Sequence, residues 1–194
     1  MEMLRVGATI QSAKVRFNRA VRRLLPMRWR RVGKCGPISM ILFLRKAYAF
    51  PEEEIRRAAE SGWGLSFSSL ETSVRRIAKT DDGFSIQAGL HVLSVCNYSK
   101  PYEEKPEEDL DWLPQPSQQR AWADHTACCW INYWTAATDL ELAHCVLAKV
   151  VVRLLNENCT GVFIPSEDSL IPAEEAAEDL QRMGSYRFSG LIPD

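Results

Sequence analysis

The sequence predicts an α+β domain in which helices pack on a mixed or antiparallel sheet, preceded by a basic amphipathic helix. Apolar segments of strand length alternate with longer segments whose apolar residues recur every three or four positions. Turn signals rich in Pro, Gly and Asp separate these segments. The chain has 194 residues, 46% of them hydrophobic, which suffices to bury a core.

The formal charge of -1 hides a division along the chain. Residues 1–34 contain ten Lys or Arg and one acid, about +9, whereas the remainder contains fourteen basic and twenty-four acidic residues, about -10. Such asymmetry is typical of a tail or an interaction surface. An acidic body would repel phosphates, so we expect no nucleic acid partner.

We divide the chain into a basic helical extension (1–37), a single α+β domain (38–184) and a C-terminal tail (185–194). Residues 4–25 predict an amphipathic helix with one apolar face and one face rich in Arg and Lys, which Pro26 ends. This helix would dock on another protein, on an anionic membrane surface or on the acidic body. Its candidate docking residues are Arg16, Phe17, Arg19, Arg22 and Arg23.

The domain begins with a continuous apolar run over 38–46, which predicts a strand buried on both faces. A helix follows, with Pro51 at its first position, acids in its first turn and Gly62 as its stop. Ser68 and Glu71 resemble a capping box. They predict a second helix that continues to about Lys79.

Residues 84–88 and 90–98 predict a hairpin around Gly89. The acidic, Pro-rich segment 99–119 is interpreted as an internal linker. A short helix over 117–123 leads to a strand over 126–134.

Thr138 and Glu141 form another capping-box pattern, which predicts an apolar core helix ending near Asn156. A strand over 160–165, a turn and a helix over 172–183 complete the domain. Since each half begins with a strand and a helix, two related strand-helix-strand halves sharing one sheet are an open alternative.

The segment Leu140–Pro172 resembles a family of uncharacterised bacterial domains of unknown function. The resemblance rests on Ala143, on the helical pattern Val146–Lys149, and on the strand and turn from Cys159 to Glu167. The block Ile38–Gly64 fits the first half of the same pattern, so the resemblance covers about residues 38–183. It implies an α+β fold and supplies no activity.

Six cysteines and the absence of an export signal or a membrane-spanning run predict reduced, mostly buried thiols in a cytoplasmic protein. The Arg-rich, acid-poor start is also typical of a transit peptide, which is the alternative. The richest set of soft metal ligands lacks a Cys-x-x-Cys pair, so we expect no metal and no cofactor. That set comprises His125, Cys128, Cys129, His144 and Cys145.

These patterns favour a non-enzymatic protein-interaction module with a basic helix for docking, and enzymatic activity is not expected. One alternative is a peripheral membrane-surface binder that uses residues 4–25. Another is a Cys/His-dependent enzyme with a site between the two halves, in which His91, His125, His144 and Lys149 are the candidate groups. Catalytic residues and oligomeric state are not assigned from the sequence.

Overall fold

A computed structural model describes residues 38–67, 75–104, 106, 110–134 and 139–185. Within these ranges the chain forms seven strands and four helices, which confirms the α+β class. The elements are β1 (Ile38–Leu44), α1 (Glu52–Trp63), β2 (Arg75–Thr80), β3 (Gly83–Ala88), β4 (His91–Tyr98), α2 (Pro116–Ala123), β5 (Ala127–Trp134), α3 (Leu140–Leu154), β6 (Cys159–Ile164), β7 (Ser169–Pro172) and α4 (Ala173–Gly184). The predicted basic helix lies outside the described residues.

All seven strands belong to one antiparallel sheet with the order β2-β3-β4-β5-β1-β6-β7. Strand β1 lies in the interior of the sheet between β5 and β6, which explains its continuous apolar sequence. Met40 and Leu42 face one side and Ile41 and Phe43 the other, and all four are fully buried. The strands before and after the acidic segment 99–119 therefore belong to one sheet.

Helices α1, α3 and α4 cover one face of this sheet. Helix α3 lies in the middle, in contact with α1, α4 and β1. It is apolar on most sides because it is buried by neighbours on most sides. Its contact with α1 is close: a Cβ at Gly62 would lie 2.3 Å from the carbonyl oxygen of Lys149.

The opposite face carries a second core of aromatic rings. Phe43 and Phe163 on the sheet pack against Trp122 of α2, with ring centroids 5.4 and 5.8 Å from that of Trp122. Tyr102 and Leu113, from the acidic segment interpreted as a linker, join the same core. That segment thus contributes side chains to the packing of the domain.

A row of polar side chains crosses three strands on this second face. Ser39 Oγ donates to Asn132 Oδ1 at 2.7 Å, and Asn132 Nδ2 donates to Ser94 Oγ at 3.3 Å. Trp134 Nε1 also donates to Ser94 Oγ, at 2.9 Å. A one-residue slip between strands would turn these groups towards the apolar helix layer, so the row favours the observed register.

The predicted helix from Ser68 to Lys79 is wrong in its second part, where β2 is a strand. Residues 68–74 lie outside the described part of the chain. In β2, Ile77 is buried opposite Ile86 of β3 and its neighbours are more exposed. Three apolar residues at helical spacing are too few to outweigh this pairing.

Several element boundaries also differ from the predictions. Pro51 is the N-cap of α1, and Gly64, at φ 67°, ends the helix two residues beyond the predicted Gly62. Asp139 caps α3 by accepting a hydrogen bond from the Leu142 amide, a role the sequence assigned to Thr138, which is outside the described residues. Strand β7 was not predicted because it is four residues long and follows a tight turn.

Candidate functional site

The candidate docking residues lie outside the described part of the chain. These are Arg16, Phe17, Arg19, Arg22 and Arg23. Docking through residues 4–25 therefore stays a prediction. The structure describes the chemistry-bearing residues of the domain itself, which are its three histidines and its five cysteines, whereas Cys35 lies outside the described residues.

Five cysteines are described, and each is buried and free of a disulfide, as the sequence predicts. Burial raises the pKa of Cys128 to about 11, and it raises the pKa of Cys129 well above the usual range of a thiol. The pKa of Cys96, Cys145 and Cys159 is raised by the same cause. Since the thiolate is the nucleophile, these side chains are poorly suited to nucleophilic catalysis at neutral pH.

His125 joins three parts of the second core. Its Nε2 accepts a hydrogen bond from the Tyr102 amide at 2.9 Å, so Nδ1 carries the proton that it donates to the Trp122 carbonyl. The ring stacks on Phe43 with centroids 4.1 Å apart, and burial lowers its pKa. A neutral histidine with both nitrogens engaged has a structural role.

His91 lies on the helix-facing side of β4. Its Nδ1 is 2.7 Å from the Tyr133 hydroxyl, and the two rings are stacked with centroids 5.7 Å apart. This cross-strand pair links β4 to β5 through side chains as well as through the backbone ladder.

Of the three histidines, His144 has the surroundings best suited to catalysis. It occupies the second turn of α3, and its Nε2 lies 2.9 Å from Ser166 Oγ. Its Nδ1 lies 3.0 Å from Glu167 Oε1. His144 is only 6% exposed, whereas Ser166 and Glu167 are exposed on the turn between β6 and β7.

The carboxylate fixes the direction of one hydrogen bond and, in the neutral ring, of the other. An ionised carboxylate only accepts, so Nδ1 of His144 carries a proton and donates it to Glu167. In the neutral tautomer with this proton, the lone pair of Nε2 is directed at Ser166. Nε2 then accepts the hydroxyl proton of Ser166. A hydroxyl, an imidazole and a carboxylate in this order form a relay that can remove the proton from an attacking serine.

The turn itself explains how Ser166 and Glu167 reach one ring. The Glu167 amide donates to the Ile164 carbonyl at 3.1 Å, and Asp168 has a φ of 51°, in the left-handed region. The chain reverses here within a few residues, so neighbouring side chains extend to the two nitrogens of one imidazole. Sequence analysis missed this cluster because Ser166 and His144 are 22 residues apart and match no spaced motif.

Two helices of the helix layer begin with acidic residues. Helix α1 has Glu52, Glu53 and Glu54 in its first turn, and α4 has Glu174 and Glu175 in its own. These positions complement the helix dipoles. Within the described ranges, no group of three or more His, Cys, Asp or Glu side chains is placed to hold a metal ion.

No family model, curated protein or solved structure matches this chain. The resemblance to a bacterial domain family thus stays a prediction. In the part of the chain that the structure describes, every helix is too short or too polar to cross a bilayer.

Proposed function

We propose that this chain is a protein-interaction module that engages an acidic partner through the basic residues 4–25. The observation that carries the proposal is the division of charge, about +9 over residues 1–34 and about -10 over the remainder. Charge separated along a chain in this way concentrates attraction for an anionic surface in one segment.

The described domain supports this role through the sign of its surface charge. Glu174 and Glu175, exposed at the start of α4, would repel an acidic partner that approached the helix layer there, whereas Glu52 and Glu53 of α1 are paired with Arg56 and Arg57. We therefore assign attraction to such a partner to the basic segment.

The test uses the full chain and a matched pair of variants. The first replaces Arg16, Arg19, Arg22 and Arg23 with Gln, and the control replaces four basic residues exposed on the domain, which are Lys46, Lys79, Lys100 and Arg120. Both variants lose four positive charges. Binding to a fluorescent polyglutamate peptide is measured by anisotropy at 50 and 150 mM salt.

We expect the N-terminal variant to bind about 30-fold more weakly, because four exposed ion pairs at about 0.5 kcal/mol each contribute about 2 kcal/mol. The control should bind within about twofold of the parent chain. Equal loss in both variants would mean that net charge alone governs binding and would refute a docking role for residues 4–25.

Anionic vesicles separate the proposal from its membrane alternative. A basic residue near an anionic bilayer contributes about 1 kcal/mol, so flotation with phosphatidylserine vesicles is sensitive to the same four arginines. Vesicle binding that depends on them, without polyglutamate binding, would favour a peripheral membrane binder. Polyglutamate binding without flotation would favour a protein partner.

The described cysteines give little support to the alternative of a Cys/His-dependent enzyme. Burial raises the pKa of all five, which disfavours the thiolate that such an enzyme needs. An enzyme built on this domain would need another nucleophile.

A further inference from the structure

We propose that Ser166 is a nucleophile activated by His144 and Glu167, and that this site transfers the acyl group of a carboxylic ester to water. This site lies at α3 and the turn between β6 and β7, and it uses none of the residues 4–25 that are proposed for docking. The carrying observation is one imidazole placed between a hydroxyl and a carboxylate, at 2.9 and 3.0 Å.

The exposure of Ser166, His144 and Glu167 agrees with their roles as nucleophile, general base and orienting acid. Ser166 is an exposed residue of the turn, so it lies on the solvent side of the cluster, where a nucleophile has to meet its substrate. The His144 side chain is 8% exposed, so the base is shielded from bulk water and its ring is held by α3. Glu167 selects the tautomer in which Nε2 is free to accept a proton, which is the role of the acid in a serine triad.

The reaction balances with these groups and water. Ser166 Oγ attacks the ester carbonyl carbon while its proton passes to His144 Nε2. The carbon–oxygen bond to the leaving alcohol then breaks, and His144 returns the proton to that alcohol. A water molecule next attacks the acyl-serine and gives its proton to His144, and the acid departs as Ser166 regains its proton.

The surroundings of Ser166 indicate the substrate class. The neighbouring carboxylates of Glu167 and Asp168 disfavour an anionic acyl group, so neutral or cationic esters are expected. Because Ser166 lies on an exposed turn, we expect the site to contribute general-base catalysis rather than an enclosed pocket that binds the transition state. General-base catalysis contributes about 10²–10⁴-fold, so esters with a good leaving group, such as phenyl esters, are the expected substrates.

The experiment uses the full chain with p-nitrophenyl acetate and, separately, a fluorophosphonate probe located by peptide mass spectrometry. Ser166→Ala is compared with Ser169→Ala, which removes a hydroxyl at the other end of the same turn. Glu167→Gln is compared with Asp168→Asn, which neutralises the adjacent carboxylate. Unfolding in urea is measured for each variant, because a purely structural cluster would change stability alone.

We expect the probe to label Ser166, and Ser166→Ala to abolish both labelling and ester hydrolysis above background. Glu167→Gln should lower the hydrolysis rate about tenfold, a moderate effect because the Glu167 side chain is 46% exposed and its charge is screened by water. Ser169→Ala and Asp168→Asn should retain most of the rate.

Two outcomes would overturn the inference. One is labelling of Ser166 no faster than that of Ser169 in the parent chain. The other is a folded Glu167→Gln or His144→Gln variant with an unchanged hydrolysis rate, since the relay would then have no kinetic effect. If His144→Gln does not fold, Glu167→Gln alone decides the second point.

Discussion

Replacing Gly62 with Ala tests the close packing of α1 on α3. In an isolated helix this change is stabilising by about 1 kcal/mol, because glycine has the greater conformational freedom when unfolded. In this domain a Cβ at Gly62 would meet the Lys149 carbonyl oxygen at 2.3 Å and its carbonyl carbon at 2.8 Å. Both atoms are backbone, so they cannot rotate away as a side chain would.

The magnitude follows from these opposing effects. Favourable non-bonded contacts lie near 3.5–4.0 Å, so α1 would have to move by about 1 Å. Overpacking of this kind costs about 1–3 kcal/mol. After the gain in helix propensity, we expect a net loss of about 1 kcal/mol in the free energy of unfolding.

Ser61→Ala is the matched control, since Ser61 is the preceding residue of α1 and is exposed. It should gain up to about 0.5 kcal/mol from helix propensity. Urea unfolding followed by tryptophan fluorescence measures both variants. The packing argument would be refuted if Gly62→Ala stabilised the domain as much as Ser61→Ala does.

Three further predictions concern pH, capping and thiol reactivity. Burial lowers the pKa of His125 in the folded domain, so as the pH falls below about 6.5 the unfolded chain takes up this proton before the folded domain does. The free energy of unfolding should therefore decrease from pH 7.5 to 5.5, and the decrease should be shallower in His125→Gln. Asp139→Ala should cost about 1 kcal/mol in urea unfolding, because the Leu142 amide loses its acceptor, and Asp139→Asn should lose less. Cys128 should react with an aromatic disulfide reagent, as mapped by mass spectrometry, only after unfolding; fast labelling in the native protein would contradict its burial and its raised pKa.

Local patterns were sufficient for several elements. The apolar run that begins at Ile38 predicted a strand buried on both faces, and β1 is such a strand. Gly89, at φ 60°, marks the reversal between β3 and β4 that the sequence indicated. In each case the signal lies within a few consecutive residues, because turn geometry and burial of a whole strand restrict which residue types can occur there.

Other features depend on partners distant in the sequence. Ile77 is a strand residue because Ile86 pairs with it, although its spacing with earlier apolar residues also fits a helix. The acidic segment that resembles a linker contributes Tyr102 to the second core, where its ring contacts rings from β1, α2 and β6. Propensity and composition describe a segment alone, and tertiary packing overrides them where a partner surface is available.

The sequence by itself determined the α+β class, the interior strand β1, the hairpin around Gly89 and the division of charge. Only the tertiary structure decided the sheet order, the strand identity of β2 and the meeting of His144 with Ser166 and Glu167. The physical reason is that hydrophobic periodicity is encoded locally. Contacts between side chains depend on how α3 packs across the sheet and where the turn between β6 and β7 reverses the chain.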